Sequence, residues 1–141
     1  MDTRALMELS LERWNDKDRA GWCALFGEDA TLRAPGGVGG SGPEIVTMFY
    51  RLWQEAFPDN RCRILRLVDG GTSGALEAVF EGTHTETLHA PGGDLPATGR
   101  RVSVPFINIG DNDGERFTDF ALYFDQVELM TQLGVVAAPV G

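Results

Sequence analysis

Apolar and polar residues alternate along a short stretch near the C-terminal end of the chain. Large apolar side chains stand at every second position, namely Phe120, Leu122 and Phe124. Polar side chains stand at the intervening positions, namely Asp119, Tyr123 and Asp125. A period of two is typical of a strand with one apolar and one polar face. We therefore predict a final strand that ends at Asp125 and is followed by a short helix.

The N-terminal half shows the spacing of three and four residues that is typical of amphipathic helices. The predicted helices are Thr3 to Trp14, a short helix capped by Asp18 that carries Trp22, Leu25 and Phe26, and Glu44 to Phe57. A brief strand is predicted from Ala30 to Ala34. The glycine-rich run from Pro35 to Pro43 is predicted to be a loop. This run lacks the Lys-Ser/Thr pair of a phosphate-binding loop, so it does not indicate nucleotide binding.

From residue 61 onward the pattern changes to that of strands. The predicted elements are a hairpin of Arg61 to Val68 and Ala75 to Thr85, a long loop over 86–99, a strand from Arg100 to Ile109, and a tight turn over 111–114. Helices followed by consecutive strands predict an α+β fold, with a curved antiparallel sheet wrapped around helices as a cone. The 141 residues suit a single domain.

The predicted inward faces carry many aromatic residues and few polar ones. The predicted ligand contacts are Trp53, Phe57, Phe80, Phe106, Phe120, Leu122 and Phe124. Two polar residues, His84 and Asn108, share the parity of the inward apolar residues on their strands. Small-molecule sites are commonly apolar with a few convergent polar groups. The pattern therefore predicts a pocket for a hydrophobic small molecule.

Composition narrows the class of partner. Twelve basic residues stand against 21 acidic ones, which gives a net charge of −9. Such a charge disfavours nucleic acid and anionic membrane surfaces as partners. No apolar run approaches the roughly 20 residues of a membrane span, and no secretory signal is visible, so we expect a cytoplasmic protein. Cys23 and Cys62 are expected to be free thiols.

Two stretches carry a resemblance to a known family. FEGTHTETLHAPGGDLPATGRRV and YFDQVELMTQLG, together with the turn at Trp14, Asn15 and Asp18, resemble the SnoaL-like polyketide cyclase or ester cyclase group of the nuclear transport factor 2-like superfamily. The resemblance implies a cone-shaped fold and a homodimer formed through the sheet. It also implies ring closure by intramolecular aldol condensation without metal or cofactor, with an aspartate of the last strand as the acid/base.

The chain departs from that family pattern at the positions that matter for the reaction. The resemblance places the catalytic aspartate at Leu122 and the assisting histidine at Asn108. Neither leucine nor a neutral amide takes up a proton near pH 7. The remaining catalytic candidates are His84, Asn108 and Asp125. Asp125 is also three residues before Glu128, the spacing of a helix capping box, so a structural role for it is an alternative.

Three functions remain open from the sequence. The first is a cofactor-independent cyclase or isomerase that uses His84 and Asn108. The second is a non-catalytic protein that binds a hydrophobic ligand. The third is an epoxide-hydrolase-like enzyme, which is weaker because no Asp-Arg-Asp cluster can be assembled on the inward faces and Asp119 is expected to lie in solvent or pair with an arginine. Two histidines and scattered acids form no recognisable metal triad.

Overall fold

The structure is a computed structural model that describes residues 1–136, and it contains four helices and eight strands within that range. The helices are α1 (Thr3–Asn15), α2 (Arg19–Cys23), α3 (Pro43–Ala56) and α4 (Gln126–Gln132). The strands are β1 (Phe26–Ala34), β2 (Val38–Ser41), β3 (Arg61–Asp69), β4 (Ser73–Thr83), β5 (Leu88–Ala90), β6 (Gly93–Leu95), β7 (Arg101–Asn112) and β8 (Phe117–Phe124). None of the helices in this range has the length and apolar character needed to span a membrane.

The helices begin where the sequence provides capping residues. Asp2 caps α1 and Asp18 caps α2, since their carboxylates accept hydrogen bonds from backbone N–H groups in the first turn. Helix α3 begins with Pro43, a residue that suits the first helical position because no N–H is needed there. The predicted cap at Asp18 and the two long predicted helices are confirmed.

One six-stranded sheet, in the order β2-β1-β8-β7-β4-β3, forms the wall of the cone. Helix α1 contacts β3 and β4, helix α3 contacts β1, and α4 contacts β7, so the helices pack on the sheet as the α+β prediction requires. The predicted curved antiparallel sheet is confirmed, and within it one pair, β1 with β8, is parallel. A parallel pair needs a long connection between its strands, and the chain between β1 and β8 supplies it.

The glycine-rich run from Pro35 to Pro43 is not a loop throughout, which corrects the prediction. Its residues Val38–Ser41 form β2, which pairs antiparallel with β1. The turn before it contains Gly36 and Gly37, with φ of 89° and 81°, a region that glycine enters without steric cost. Because β2 is half glycine, it has no alternating side-chain pattern that could have revealed it.

Two further boundaries were wrong. Phe26 does not continue the second helix, which ends at Cys23, but opens β1 and pairs with Phe117 of β8. The connection over 86–99 is not entirely loop, since it contains the small hairpin of β5 and β6. Pairing with other strands determines the secondary structure of both segments. Each segment is too short for its residue periodicity to predict that pairing.

A buried hydrogen-bond network joins α1 and α3 to the start of β3. Its centre is Asn60, whose side chain and backbone are fully buried. The Asn60 Oδ1 atom accepts from the Trp14 indole N–H at 2.8 Å, and Asn60 Nδ2 donates to Gln54 Oε1 at 2.7 Å and to the Phe57 carbonyl at 2.8 Å. The ammonium group of Lys17 donates to the Asn60 carbonyl. The network fixes the two helices on the sheet beside the cavity described below.

Candidate functional site

An apolar cavity lies between the concave face of the sheet and the helices. The volume of this cavity is about 70 Å³, well below the roughly 300–1,000 Å³ of most small-molecule sites. The cavity is therefore narrow.

Six of the seven predicted ligand contacts line this cavity. They are Trp53, Phe80, Phe106, Phe120, Leu122 and Phe124. The seventh, Phe57, is fully buried outside the lining, with its ring centroid 6.2 Å from that of Trp53 and 5.2 Å from that of Phe80. Phe57 therefore supports the wall from behind, and its predicted position as a ligand contact is corrected.

The sequence interpretation missed several lining residues. They include Ser10, Trp14, Trp22, Cys62 and Leu129. Phe49, which helical spacing places on the same inward face as Trp53, lines the cavity as expected. A signal existed for Cys62, which pairs directly with Phe80 of β4 and so shares its inward face. The residues of α1, α2 and α4 reach the cavity through the packing of these helices. Alternation along the strands cannot predict that packing.

Asn108 and Leu122 are cross-strand partners in the wall of the cavity. They pair directly between the antiparallel strands β7 and β8, and both line the cavity. Asn108 is 1% exposed, and its Nδ2 donates to the Ala121 carbonyl at 3.0 Å. Its Oδ1 has no hydrogen-bond partner in the described part of the chain. Asn108 therefore brings to the cavity wall an amide oxygen that has no hydrogen-bond partner within residues 1–136.

His84 is fully buried but does not line the cavity. Its ring packs on Phe57, with centroids 5.2 Å apart, and its Nδ1 accepts from the Thr98 backbone N–H at 3.1 Å. The neutral ring therefore carries its proton on Nε2, which has no hydrogen-bond partner among residues 1–136. Burial lowers the pKa of His84, and the backbone of Glu86 opposes this only in part. The structure thus separates His84 from the cavity.

The cavity wall contains no carboxylate, histidine, lysine or arginine among the residues that the structure describes. Its one titratable side chain is Cys62, and burial raises the pKa of that thiol to about 12 although Lys17 opposes the shift. The thiol therefore stays protonated at neutral pH. No cluster of three or more potential metal ligands occurs within the described range. The site can bind and orient a molecule, but it offers no conventional acid or base.

Comparison with known proteins identifies the family. A family model for SnoaL-like polyketide cyclases matches residues 4–133. The chain belongs to the SnoaL-like polyketide cyclase family. Among curated proteins, none matches the sequence significantly.

Solved structures of similar fold agree with this family. TsrD from Streptomyces laurentii is 26% identical, with a TM-score of 0.78 over 94% of this chain and 95% of its own. IdmH from Streptomyces antibioticus, a proposed polyketide cyclase, is 24% identical, with a TM-score of 0.76 over 94% and 98%. A protein of ketosteroid isomerase-like fold from Catenulispora acidiphila is 18% identical, with a TM-score of 0.76 over 96% and 97%. The predicted nuclear transport factor 2-like fold is confirmed.

In this SnoaL-like chain the acidic residues of the last strand lie outside the cavity. Asp125 is exposed and caps α4, since its Oδ1 accepts from the backbone N–H groups of Val127 and Glu128 at 2.9 Å and 3.1 Å. Asp119 pairs with Arg33 at 3.2 Å on the outer face of the sheet, as expected. Asp125 is therefore placed as a helix cap, and the Asp-Arg-Asp cluster of an epoxide-hydrolase-like site is not formed in the described cavity wall.

The buried neutral His84 of this SnoaL-like protein predicts a loss of stability in mild acid. Because its folded pKa lies below the unfolded value of about 6.5, the unfolded chain takes up a proton first as the pH falls. Stability is therefore expected to decrease from about pH 6.5 down to the folded pKa and to change no further on account of this group. Urea unfolding at pH 7.5 and 5.5 measures the decrease.

Two histidine variants show whether His84 causes this loss of stability in mild acid. His84→Gln removes the buried titrating group and is expected to reduce the difference between the two pH values. His89→Gln, which replaces the exposed histidine beside Asp94, is the control and is expected to retain the difference. An unchanged pH dependence in His84→Gln would show that another group is responsible.

Proposed function

We propose that the protein binds a hydrophobic, polyketide-like molecule in the cavity and promotes its cyclisation or isomerisation without a cofactor. The observation that carries this proposal is the narrow aromatic cavity lined by Asn108, whose Oδ1 has no hydrogen-bond partner among the described residues. Membership of the SnoaL-like polyketide cyclase family supports the class of reaction. Asn108 replaces His84 and Asp125 in this proposal, because it alone of the three lines the cavity.

The proposed chemistry is an intramolecular aldol condensation helped by confinement. An amide oxygen that accepts a hydrogen bond from an enol O–H favours the enol form of a bound ketone. The enol carbon forms a bond to the carbon of a second carbonyl in the same molecule, the enol proton passes to water, and the new alkoxide takes a proton from water. The aromatic walls hold the two arms of the substrate near each other, which lowers the entropic part of the barrier.

A small diketone tests this proposal. Ring closure of 1-(2-acetylphenyl)propan-2-one, with loss of one water, gives 3-methyl-1-naphthol, whose fluorescence reports the rate. We expect the protein to accelerate its formation over buffer alone. Asn108→Leu preserves the approximate volume of the side chain but removes the acceptor, and it is expected to lower the rate about three- to tenfold, the worth of one hydrogen bond.

A wall variant separates that hydrogen bond from loss of packing. Val104→Ala removes apolar atoms from the same strand and the same cavity without touching a polar group. It is expected to weaken binding of the diketone without lowering the rate at saturation as far as Asn108→Leu does. Formation of the naphthol at the buffer rate, at saturating diketone, would contradict the proposed activity.

A non-catalytic role is the second candidate, favoured by one observation. The part of the cavity wall that the structure describes carries no side chain able to exchange a proton near pH 7. In that case the protein binds the diketone or its naphthol product, as tryptophan fluorescence can report, without changing the rate of ring closure. Turnover above the buffer rate would rule this function out.

We also propose that the protein is a homodimer that associates through the outer face of the sheet. A row of apolar residues crosses that face, where Ile109 pairs with Ala121 on one side and Ala75 on the other. Ile109 is 39% exposed and Tyr123, on the same face, is 49% exposed. We expect sedimentation to show a dimer and the double variant Ile109→Lys, Tyr123→Lys to be a monomer. A monomeric parent protein at high concentration would contradict this.

A cytoplasmic location remains part of the proposal. Both thiols are free, Cys62 being buried and Cys23 partly buried. Free thiols are typical of a reducing compartment.

A further inference from the structure

The indole N–H of Trp53 is a second unsatisfied polar group at the cavity. Trp53 lies on α3 and lines the cavity, and its Nε1 is buried without a hydrogen-bond partner among the described residues. Its ring meets Phe80 and Phe124 edge to face, with centroids 5.8 Å and 5.5 Å away. Buried indole N–H groups normally find a partner, so an unpaired one at a cavity indicates a group that is completed by a ligand.

Trp14 provides an internal comparison. Its indole also lines the cavity, but its Nε1 donates to Asn60 Oδ1 at 2.8 Å. The fold therefore satisfies the indole N–H of Trp14 from within the protein. Trp53 differs in this respect, since its aromatic contacts fix the ring while leaving its donor unpaired.

The donor and the acceptor lie on different elements of the cavity wall. Trp53 contacts Phe124 of β8, which pairs with Phe106 of β7, and Asn108 follows Phe106 two residues along the same strand. A donor on α3 and an acceptor on β7 therefore belong to residues that line the same cavity, so one neutral ligand can complete both.

The charge of the wall limits the ligand further. No cationic side chain lines the cavity in the described part of the chain. A carboxylate placed there would lose its hydration without gaining a counter-ion, which is strongly unfavourable. The net charge of −9 also repels anions from the protein as a whole.

We infer that the cavity selects a neutral, flat aromatic molecule that presents a carbonyl to the Trp53 indole N–H and a hydroxyl or enol to Asn108 Oδ1, and that Trp53 determines this specificity. The inference rests on the proposed function, because it assumes that the cavity holds the ligand. It deepens that proposal by naming the donor that recognises the electrophilic carbonyl and by excluding free acids.

Four naphthalene probes that differ only in their substituents test the inference. 6-Acetyl-2-naphthol carries both groups, 2-acetylnaphthalene lacks the hydroxyl, 2-naphthol lacks the acetyl, and 6-hydroxy-2-naphthoic acid is an anion at pH 7.5. Affinities are measured by equilibrium dialysis at that pH. We expect 6-acetyl-2-naphthol to bind most tightly, each single deletion to cost about three- to tenfold, and the acid to bind more than about tenfold more weakly.

Single substitutions show which residue is responsible for each difference in affinity between the probes. Trp53→Phe retains an aromatic ring and removes the N–H. This variant is expected to bind 6-acetyl-2-naphthol no more tightly than 2-naphthol. It is still expected to bind 6-acetyl-2-naphthol more tightly than 2-acetylnaphthalene. Asn108→Leu is expected to do the reverse. Phe106→Leu is the control for loss of wall area and is expected to weaken all neutral probes by similar factors.

The outcomes separate the inference from the proposed function. Tight binding of all four probes with equal affinity, or a preference unchanged in Trp53→Phe, would overturn the inference while leaving the cavity as a ligand site. Failure of every probe to bind would overturn the proposed function and this inference with it. Competition by 3-methyl-1-naphthol, the expected product of the diketone, shows that the probes occupy the same cavity.

Discussion

Leu122→Asp is expected to raise the rate of diketone cyclisation by about 10²-fold or more over the parent protein, the usual contribution of a positioned general base. Leu122 lines the cavity and lies directly across from Asn108 in the β7–β8 pair. A carboxylate there is surrounded by aromatic rings, which raises its pKa toward neutrality and makes it a stronger base than a solvated carboxylate. Removal of the C–H proton then no longer depends on water.

Leu122→Asn is the matched control for this gain. It has nearly the same shape and polarity as the aspartate variant but cannot accept a proton near pH 7. Each variant places a polar group among apolar neighbours and is expected to lower the free energy of unfolding by about 2–4 kcal/mol. Equal rates for Leu122→Asp and Leu122→Asn would show that this position does not contact the reacting atoms.

Asn60→Ala is expected to lower the free energy of unfolding by about 3–4 kcal/mol. The substitution leaves the Trp14 indole N–H and the Gln54 amide oxygen without partners, and removes a bond to the Phe57 carbonyl at the end of α3. Buried polar groups that lose their partners keep the full cost of desolvation. Because the network holds α1 and α3 against the sheet, the cavity is expected to widen as well.

Urea unfolding measures this loss, and Asn112→Ala is its control. Asn112 also donates two hydrogen bonds, to Thr3 Oγ1 and the Thr72 carbonyl, but it lies in a partly exposed hairpin. Its replacement is expected to cost only about 1 kcal/mol, because Thr3 retains its hydrogen bond to the Gly71 carbonyl and Thr72 is exposed to water. Similar losses for the two variants would show that the Asn60 network is not the main connection between helices and sheet.

Strand parity predicted the inward residues well, and the case of His84 shows its limit. His84 does lie on the buried side of its chain segment, as the alternation of β4 indicated, but it follows the end of β4 at Thr83. The alternation along a strand shows on which face of the sheet a side chain lies. It does not show how far along the cavity that side chain lies. Where the cavity ends depends on the aromatic packing of Phe57, which local sequence does not encode.

The other features of the structure fall into two groups: those set by a few adjacent residues and those set by contacts between distant segments. The cap at Asp125 was among the predicted alternatives because a capping motif is a feature of a few adjacent residues. The pairing of β1 with β8 joins residues about ninety positions apart, and no local pattern contains it. The sequence likewise does not show that the indole N–H of Trp53 lacks a partner within the described range, since Trp14 has the same side chain and a satisfied donor.

A crystal structure with bound 3-methyl-1-naphthol tests the central claim most directly, because it shows both where the ligand lies and which groups it contacts. We expect the naphthalene rings in the cavity against Trp53 and Phe124, with the hydroxyl about 3 Å from Asn108 Oδ1. An empty cavity in crystals that hold the naphthol elsewhere, or a bound naphthol whose hydroxyl avoids Asn108, would contradict the claim.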